Sequence, residues 1–312
     1  MYKFLLLVLT TVLALGCDDA TSPMPDSDAQ ILDAGVDDLG QPDATNDQGD
    51  DMKSPFVDSL FLSDQFLNIA HRGGGLLAPE ETIAAYQNAV TIGADVIECD
   101  VHATSDGVVV CMHDSSVSRT TDGIGAIRGM TLAEVKALDA GFDFTTDGGV
   151  TFPYRGQGVQ VPTLDELLDA FPNTHIAIEI KQDDPPIVDA LAAVIDNHDA
   201  ASRVMVAAFS DATLNAFRAA RPDIITSFAL GEMLAFSRLT DATESAYASK
   251  GQIIQAPMDQ TTAENISRAH RLGLKIQVWT VNEREDMERF IDLDVDGIFT
   301  DDPALLREVL AN

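Results

Sequence analysis

The stretch Ile69–Thr82, IAHRGGGLLAPEET, decides between two ways of building a parallel sheet from this sequence. In it, a short apolar run ends in a histidine, an arginine and three glycines, and a proline follows before the next helical segment. A doubly wound open sheet requires a glycine-rich phosphate turn that leads directly from the first strand into a helix. The stretch lacks the spacing of that turn and the proline interrupts it, so the sequence favours a closed barrel.

Short runs rich in Val, Ile and Phe alternate with segments of helical period along the rest of the chain. The apolar runs predict eight strands, at 67–71, 95–101, 175–180, 203–209, 224–230, 252–257, 275–281 and 296–301. Helices are predicted between most of them, at 82–92, 164–171, 187–197, 211–220, 262–272, 283–292 and 303–310. Eight such units in about 250 residues match the size of a (β/α)₈ barrel, whose strands are buried on both faces.

The region between His113 and Pro162 interrupts this alternation, because it contains only one clear helical segment, at 131–140. Long insertions in such barrels usually lie over the catalytic face. The predicted fold is therefore α/β, a (β/α)₈ TIM barrel with a short insertion after the second strand region.

Residues 1–16, MYKFLLLVLTTVLALG, predict a signal peptide. They contain one early basic residue, Lys3, and an apolar core too short to span a bilayer comfortably. Cys17 follows small residues, as in the bacterial lipobox, where the cysteine thiol is lipidated; plain signal cleavage and an uncleaved anchor are the alternatives. We expect an exported protein held at the bacterial cell envelope, periplasmic or outer surface, by a lipid on Cys17.

Residues 17–60 predict an acidic, disordered tether, and residues 61–312 predict the catalytic domain. Between Asp18 and Met52 the sequence carries 11 aspartates, no basic residue and no hydrophobic period, so this segment cannot bury enough apolar area to fold. The formal net charge of −32 is only partly due to this segment. An acidic domain argues against nucleic acid as a partner, and no protein partner is evident.

Two of the three cysteines, Cys99 and Cys111, remain once Cys17 is assigned to lipidation. They could form a disulfide in an oxidising compartment. Cysteine is, however, among the residue types most often buried, and buried free thiols are the favoured interpretation.

Acidic side chains occur at alternate positions on two of the predicted strands. Glu98, Asp100 and His102 share one side of the second strand, and Glu179 and Lys181 share one side of the third. Three carboxylates converging at the barrel mouth would repel each other unless a cation lies among them, or unless they are separately solvated or paired with arginines. Oxygen ligands favour Ca²⁺ or Mg²⁺ over zinc, and a packed histidine is commoner than a ligand at the position of His102.

Seven motifs occur in a fixed order along the chain, HRGGGLLAPEET, GADVIECDVHATSDGVVVCMHD, SRTTDGIG, VPTLDELL, IEIK, VWTVN and DGIFTDDP. In this order they resemble the motifs of the glycerophosphodiester phosphodiesterase family over about residues 67–307. The spacing agrees, with 27 positions from His71 to Glu98 and 13 from Asp100 to His113. Several such motifs in order are far more specific than any one of them.

The resemblance implies a role for each matching position. The general acid and base would be His71 and His113. The divalent-metal ligands, Ca²⁺ or Mg²⁺ being the metal, would be Glu98, Asp100 and Glu179. The substrate-binding residues would be Arg72 and Lys181, which hold the phosphoryl oxygens, Glu80, which orients the first histidine and arginine, and Trp279, which lines the pocket.

Glu81 departs from the family pattern, which typically reads P-E-N-T where this chain has Pro79, Glu80, Glu81 and Thr82. A carboxylate cannot donate a hydrogen bond as an amide does, so the bonds expected of the asparagine are in doubt. We expect Glu81 in the first turn of the following helix, where its charge meets the positive end of the helix dipole.

The resemblance also implies a function, the metal-dependent hydrolysis of glycerophosphodiesters to an alcohol and sn-glycerol 3-phosphate by general acid–base catalysis. One alternative is an enzyme of the same fold that acts on lysophospholipids or sphingomyelin with a phospholipase D outcome, for which the aromatic residues of the insertion would provide apolar surface. The other is a tethered, non-catalytic binding protein on a degenerate barrel, which should have lost a key side chain. None of the five acid, base and metal positions is lost.

Overall fold

A ring of parallel strands forms the body of the protein in a computed structural model that describes Phe56 and residues 59–311. The predicted signal peptide, Cys17 and most of the predicted tether lie outside the described residues. Within the described part of the chain, no helix is long and apolar enough to cross a membrane.

Eight parallel strands and one short antiparallel strand make up the sheet. In chain order they are β1 Leu67–Ala70, β2 Val96–Ala103, β3 Val109–Cys111, β4 His175–Ile180, β5 Val204–Ala207, β6 Ile225–Thr226, β7 Ile253–Pro257, β8 Lys275–Trp279 and β9 Gly297–Thr300. The parallel strands run in the order β6, β5, β4, β2, β1, β9, β8, β7. A bridge between Ser227 and Ile253 joins the two ends of this order, which confirms the predicted TIM barrel.

Helices follow the strands and pack on the outside of the ring. They are α1 Ile83–Ile92, α2 Leu132–Lys136, α3 Leu164–Ala170, α4 Val188–Asn197, α5 Asp211–Ala220, α6 Leu230–Ser237, α7 Asp241–Glu244, α8 Ala263–Arg271, α9 Arg284–Asp292 and α10 Pro303–Leu310. Side-chain caps explain several of the starts: the Thr82 hydroxyl accepts a hydrogen bond from Ala85 N, and Thr163 forms a capping box with Glu166. Gly93, with φ of 90°, ends α1.

Several elements differ from the sequence prediction, and the helices α6 and α7 were not predicted at all. The predicted strand at 224–230 is only two residues long, because Leu230 already begins α6. The apolar run at 109–111 was not predicted as a strand, since three residues are too few for a periodic signal, yet it pairs antiparallel with β2. The predicted helix at 131–140 ends at Lys136.

Two apolar layers hold the barrel together. Side chains such as Leu67, Ile69 and Met205 fill its interior, and a larger set packs between the strands and the helices. Phe61 is buried at the amino end of the ring, where its ring meets that of His175 edge-on with centroids 5.6 Å apart. The opposite, carboxyl end is therefore the end at which polar side chains can collect.

The two cysteines of the barrel are buried free thiols, the favoured interpretation of the sequence. Cys99 lies on β2 and Cys111 on β3, and both belong to the layer between strands and helices. Their side chains alternate with those of Glu98 and Asp100, which confirms the predicted division of β2 into two faces.

Candidate active site

The loop after β1 turns sharply because three successive residues adopt left-handed backbone angles. Arg72 has φ of 53°, Gly73 of 80° and Gly74 of 90°. Gly73 also has no room for a side chain, since a Cβ there would lie 2.9 Å from the Cβ of Ala85. The glycines of the opening stretch thus let the chain turn back against α1 while His71 and Arg72 stay at the barrel mouth.

Three predicted metal ligands lie at this carboxyl end. Glu98 and Asp100 lie on β2 with 4% and 1% of their surface exposed, and Glu179 on β4 is the register partner of Asp100. Burial and the neighbouring Asp100 raise the pKa of Glu98 to about 8. The backbone N–H of Arg72 donates to Glu98 Oε2 over 2.7 Å and holds this carboxylate in place.

Asp100 is the electrostatic centre of the site. Lys181 Nζ lies 3.1 Å from Asp100 Oδ1, and Arg72 Nε lies 3.4 Å from Asp100 Oδ2. Burial opposes the charge of Asp100, but Lys181, His113, Arg72 and His71 together lower the pKa of its carboxyl. Within the described residues, neither oxygen has a partner with hydrogen-bond geometry, so both remain available to a ligand.

Glu81 does not lie in the first turn of α1, and the expectation based on the helix dipole was wrong. It precedes the N-cap residue Thr82, has φ of 58° and is buried. Glu81 Oε1 accepts a hydrogen bond from Asp100 N over 3.0 Å, and Oε2 accepts one from the Tyr86 hydroxyl. Burial and the charges of Asp100 and Glu98 raise the pKa of Glu81 well above its ordinary value.

A hard divalent cation fits this group of carboxylates. Glu81, Glu98 and Asp100 each offer one oxygen, and the three oxygens lie within 4.8 Å of one another. Glu179 instead lies beside Lys181, with 2.7 Å between its Oε1 and Lys181 Nζ. An all-oxygen donor set, with unsatisfied oxygens on Asp100, is what Ca²⁺ or Mg²⁺ requires.

His71 is oriented by Asp301, a residue that the sequence analysis did not single out. The His71 Nδ1 atom lies 2.7 Å from Asp301 Oδ1, and Asn282 Nδ2 donates to Asp301 Oδ2 over 2.8 Å. Burial opposes the imidazolium, but the Asp301 hydrogen bond and the charge of Glu98 raise the pKa of His71 above 6.5. The expectation that Glu80 orients this histidine was wrong, because Asp301 holds that position.

His113 has a similar carboxylate partner but a different electrostatic environment. Its Nδ1 atom lies 2.7 Å from Asp114 Oδ1, the carboxyl of the next residue in the chain. Burial is the largest effect on His113, and with the nearby charges of Arg72 and Lys181 it lowers the pKa below 6.5 despite Asp100 and Asp114. The two histidines therefore share a hydrogen-bond arrangement and differ in the direction of their pKa shifts.

Arg119 connects Glu80, the partner of Arg72, with Asp114, the partner of His113. Its Nη1 and Nη2 atoms each donate to a Glu80 oxygen over 2.7 Å, and its Nε donates to Asp114 Oδ2 over 2.7 Å. Glu80 Oε1 also accepts from Arg72 Nη1 over 3.1 Å, as predicted for that pair. Asp114, Arg119, Asn282 and Asp301 all lie within the motifs quoted above, which was the only sequence signal for them.

Trp279 and Lys181 lie near one exposed ring, that of Phe209. The Trp279 and Phe209 rings meet edge-on with centroids 6.2 Å apart, and Lys181 Nζ lies 5.7 Å from the Phe209 centroid. The Trp279 indole N–H donates to Gln255 O over 3.0 Å. His102 lies outside the carboxylate group, with its Nε2 3.3 Å from the carbonyl oxygen of His113.

A cavity of about 410 Å³ opens beside Glu80 and Arg119. The loop after β1 contributes Leu76 and Pro79 to its wall, and the insertion contributes Asp143 and Phe144. The insertion thus lies against the catalytic face, as expected, and has a small core of its own around Val117, Ile127 and Val135. A cavity of this volume is large enough for a small organic group.

Comparisons with known proteins agree with this geometry. The sequence profile of the Glycerophosphoryl diester phosphodiesterase family matches residues 71–305. A glycerophosphodiester phosphodiesterase of Caldanaerobacter subterraneus subsp. tengcongensis is 35% identical over 245 residues, which cover 77% of this chain and 96% of the relative. The crystal structure of a glycerophosphoryl diester phosphodiesterase from Silicibacter pomeroyi superposes with a TM-score of 0.68 at 32% identity, covering 78% of this chain and 92% of the other.

A second solved structure carries a bound product. It is a phosphodiesterase of Oleispira antarctica in complex with sn-glycerol-3-phosphate, with a TM-score of 0.65 and 25% identity. The match covers 78% of this chain and 96% of that protein. Both solved structures are thus covered almost completely by the barrel described above.

Proposed function

The chain belongs to the glycerophosphoryl diester phosphodiesterase family, and from this premise we propose that it hydrolyses glycerophosphodiesters to an alcohol and sn-glycerol 3-phosphate by acid–base catalysis. The observation that carries the proposal is the pair of histidines, each with a carboxylate on its Nδ1 and each close enough to the buried Asp100 to lower the pKa of its carboxyl. The product bound to the Oleispira antarctica protein is the one proposed here.

The opposite pKa shifts assign the two histidines different roles at the start of the reaction. His113, with its lowered pKa, is neutral near pH 6.5 and takes the proton of the attacking hydroxyl. His71, with its raised pKa, is protonated there and gives its proton to the departing alkoxide. In both, the carboxylate on Nδ1 directs Nε2 toward the reacting atoms.

The phosphodiester must be held and its charge neutralised while the protons move. Arg72 and Lys181, which flank Asp100, are the cations that would bind its non-bridging oxygens. A divalent ion held by Glu98 and Asp100, with Glu81 or Glu179 completing the set, would polarise the phosphoryl group and any hydroxyl bound beside it. The departing alcohol would occupy the cavity beside Glu80 and Arg119.

A substrate panel with and without chelator tests this proposal. Glycerophosphocholine, glycerophosphoethanolamine, glycerophosphoglycerol and sphingomyelin are incubated with CaCl₂, MgCl₂ or EDTA. Release of sn-glycerol 3-phosphate from the first three and of choline from sphingomyelin is followed by coupled assays. We expect release from the glycerophosphodiesters, suppression by EDTA, and a rise in melting temperature with the effective ion. Binding of these diesters without turnover under any metal condition would favour the tethered binding protein instead.

We also propose that the protein is exported and anchored in the cell envelope by a lipid on Cys17, with residues 17–60 as a tether. The support is the apolar segment before Cys17 and the run of aspartates after it. Expression in a bacterium fed a labelled fatty acid should label the wild type and not Cys17→Ser. Labelling of neither, with both in the soluble fraction, would contradict the anchor.

A further inference from the structure

We propose that Glu81 is itself a ligand of the divalent cation and that its charge makes the site prefer Ca²⁺ to Mg²⁺. The family pattern has asparagine at this position, so the proposed ligand is a property of this chain. The inference rests on the proposed metal-dependent function and adds to it one more carboxylate and the choice of ion.

A gap between two strand pairings of β2 fixes the position of Glu81. The strand β1 pairs with β2 only as far as Ile97, and β3 pairs with it only from Val101. Asp100 N lies between these two stretches and donates to Glu81 Oε1 over 3.0 Å. The backbone is tied down as well, since Glu81 N donates to Arg72 O over 3.0 Å. The Glu81 carboxylate is therefore held against the strand that carries two predicted metal ligands.

The distances allow one ion to bind Glu81 together with Glu98 and Asp100. One oxygen of each of these three carboxylates lies within 4.8 Å of the other two. Bonds of about 2.3–2.6 Å from Ca²⁺ to oxygen place opposite ligands about 5 Å apart, so a single Ca²⁺ can reach all three.

The hydrogen bonds of the site leave oxygen lone pairs for such an ion. Glu81 Oε1 and Oε2 each accept one hydrogen bond, from Asp100 N and from the Tyr86 hydroxyl, and a carboxylate oxygen has a second lone pair. Asp100 is 1% exposed, and within the described residues neither of its oxygens has a partner with hydrogen-bond geometry. Buried oxygens of this kind require a ligand.

The balance of charge around Asp100 also calls for a divalent cation. Two cationic side chains, Arg72 and Lys181, lie among four carboxylates, those of Glu81, Glu98, Asp100 and Glu179. With all four ionised, the two uncompensated negative charges equal the charge of one divalent ion. An asparagine at position 81 could accept the same bond from Asp100 N, but it would leave only one uncompensated charge.

The number of carboxylates favours Ca²⁺ over Mg²⁺. Ca²⁺ takes about six to eight oxygen ligands in a flexible geometry, whereas Mg²⁺ keeps several waters and usually binds through one or two carboxylates. A third carboxylate within reach of the ion replaces a water that Mg²⁺ would retain. Glu81 should therefore strengthen the binding of Ca²⁺ more than that of Mg²⁺.

The test is isothermal titration calorimetry of the full chain, freed of metal with EDTA and titrated with CaCl₂ or MgCl₂. Glu81→Gln keeps the shape of the side chain and an acceptor for Asp100 N, but it removes the charge. The Kd for Ca²⁺ should rise by at least about 10–100-fold, the range found when groups that only support a ligand are replaced. The Kd for Mg²⁺ should rise less. An unchanged Kd for Ca²⁺ would overturn the proposal.

Two control variants separate the charge of Glu81 from its position. Tyr86→Phe removes the hydroxyl that holds Glu81 Oε2 but keeps the carboxylate, so it should weaken Ca²⁺ binding less than Glu81→Gln. Glu288→Gln removes an exposed carboxylate on α9 and should keep the wild-type Kd. A loss in Tyr86→Phe as large as that in Glu81→Gln would show that position decides, and would overturn the proposal.

Terbium provides a readout that a purely structural role of Glu81 would not change. Tb³⁺ is close to Ca²⁺ in size and carries one more charge, and Coulomb energy scales with the product of the charges. In Glu81→Gln, the change in log Kd should therefore be about 1.5 times as large for Tb³⁺ as for Ca²⁺. Equal changes for the two ions would overturn the charge-based role.

Hydrolysis of glycerophosphocholine, measured on the same samples, distinguishes this inference from the proposed function. If the wild type is active and Glu81→Gln binds Ca²⁺ as tightly as the wild type, the inference fails and the function stands. If Glu81→Gln loses Ca²⁺ and the wild type hydrolyses no diester, the function fails and the metal ligand stands. Tighter binding of Mg²⁺ than of Ca²⁺ by the wild type would contradict the choice of ion.

Discussion

His71 and His113 have the same hydrogen-bond arrangement, yet the parts of the molecule that hold them differ. Each has a carboxylate oxygen 2.7 Å from its Nδ1. The partner of His71 is Asp301, 230 residues away in sequence, at the end of the neighbouring strand β9. The partner of His113 is Asp114, the next residue, held by Arg119 at the start of the insertion.

This difference explains the opposite pKa shifts. His71 lies within the barrel, where Asp301 and Glu98 supply enough negative charge to outweigh burial. At His113 the charges of Arg72 and Lys181 add to the effect of burial, and together they outweigh Asp100 and Asp114. A histidine and a carboxylate at hydrogen-bond distance thus do not by themselves determine the charge on the imidazole. The surrounding charges decide it, which gives the site one acid and one base at the same pH.

The largest expected effect is the loss of either imidazole. His71→Ala and His113→Ala should each lower kcat by at least about 10²–10⁴-fold, because each removes one proton transfer. Steady-state kinetics on glycerophosphocholine, with the melting temperature as a check on folding, measure this. Near-full activity in either variant would remove that histidine from the reaction.

Replacing the carboxylate partner of either histidine should lower kcat less than removing the imidazole itself. Asp301→Asn and Asp114→Asn should each lower kcat by about 10–100-fold, since the amide can present the wrong hydrogen-bond partner to Nδ1. We expect the larger loss for Asp301→Asn, because Asn282 also hydrogen-bonds to Asp301 and would be disturbed. Equal losses of kcat, or a larger loss for Asp114→Asn, would contradict the proposed difference between the barrel environment of His71 and the insertion environment of His113.

The pH dependence of kcat/KM separates the two environments. On the acid side, kcat/KM should fall as His113 gains a proton, and the lowered pKa of His113 places this limb of the profile below pH 6.5. On the alkaline side, kcat/KM should fall as His71 loses its proton, and the raised pKa of His71 places this limb above pH 6.5. Beyond each of these two pKa values, kcat/KM should fall about tenfold per pH unit.

The carboxylate variants should move these limbs in ways that depend on which histidine is affected. Asp301→Asn removes an interaction that raises the pKa of His71, so the alkaline limb should move to lower pH. Asp114→Asn removes one that raises the pKa of His113, so the acid limb should also move to lower pH. The first variant narrows the active range and the second widens it. If each variant shifts the acid and alkaline limbs equally, the two limbs do not report His113 and His71 separately.

Arg119→Lys should have the smallest of these effects, about threefold to tenfold on kcat. A lysine keeps the charge but cannot donate to both Glu80 oxygens and to Asp114 at once. Arg128→Lys, in the same insertion, is a matched control because Arg128 Nη1 donates to the backbone carbonyl of Asp184 over 3.3 Å and, within the described region, forms no ion pair. If both variants behave alike, Arg119 does not connect His113 to Arg72.

Much of the fold follows from local patterns. The unbroken apolar runs predicted all eight parallel strands, and caps such as Thr82 and Thr163 placed helix starts to within a residue. Two helices, α6 and α7, were not predicted. The helix α6 has alanine at its N-cap and begins inside a run of strand-like residues, and α7 is only four residues long. Periodicity is lost where a strand is only two or three residues long, as in β3 and β6.

The sequence alone determined which residues share the barrel mouth, because alternation along β2 and β4 and the positions of strand ends are local properties of the chain. The tertiary structure decided which groups touch. Asp301 reaches His71 only because β9 pairs with β1, and the contact of Glu81 with Asp100 N on β2 depends on the left-handed backbone angle of Glu81. Such contacts join residues far apart in sequence or depend on one unusual backbone angle, and a residue pattern contains neither.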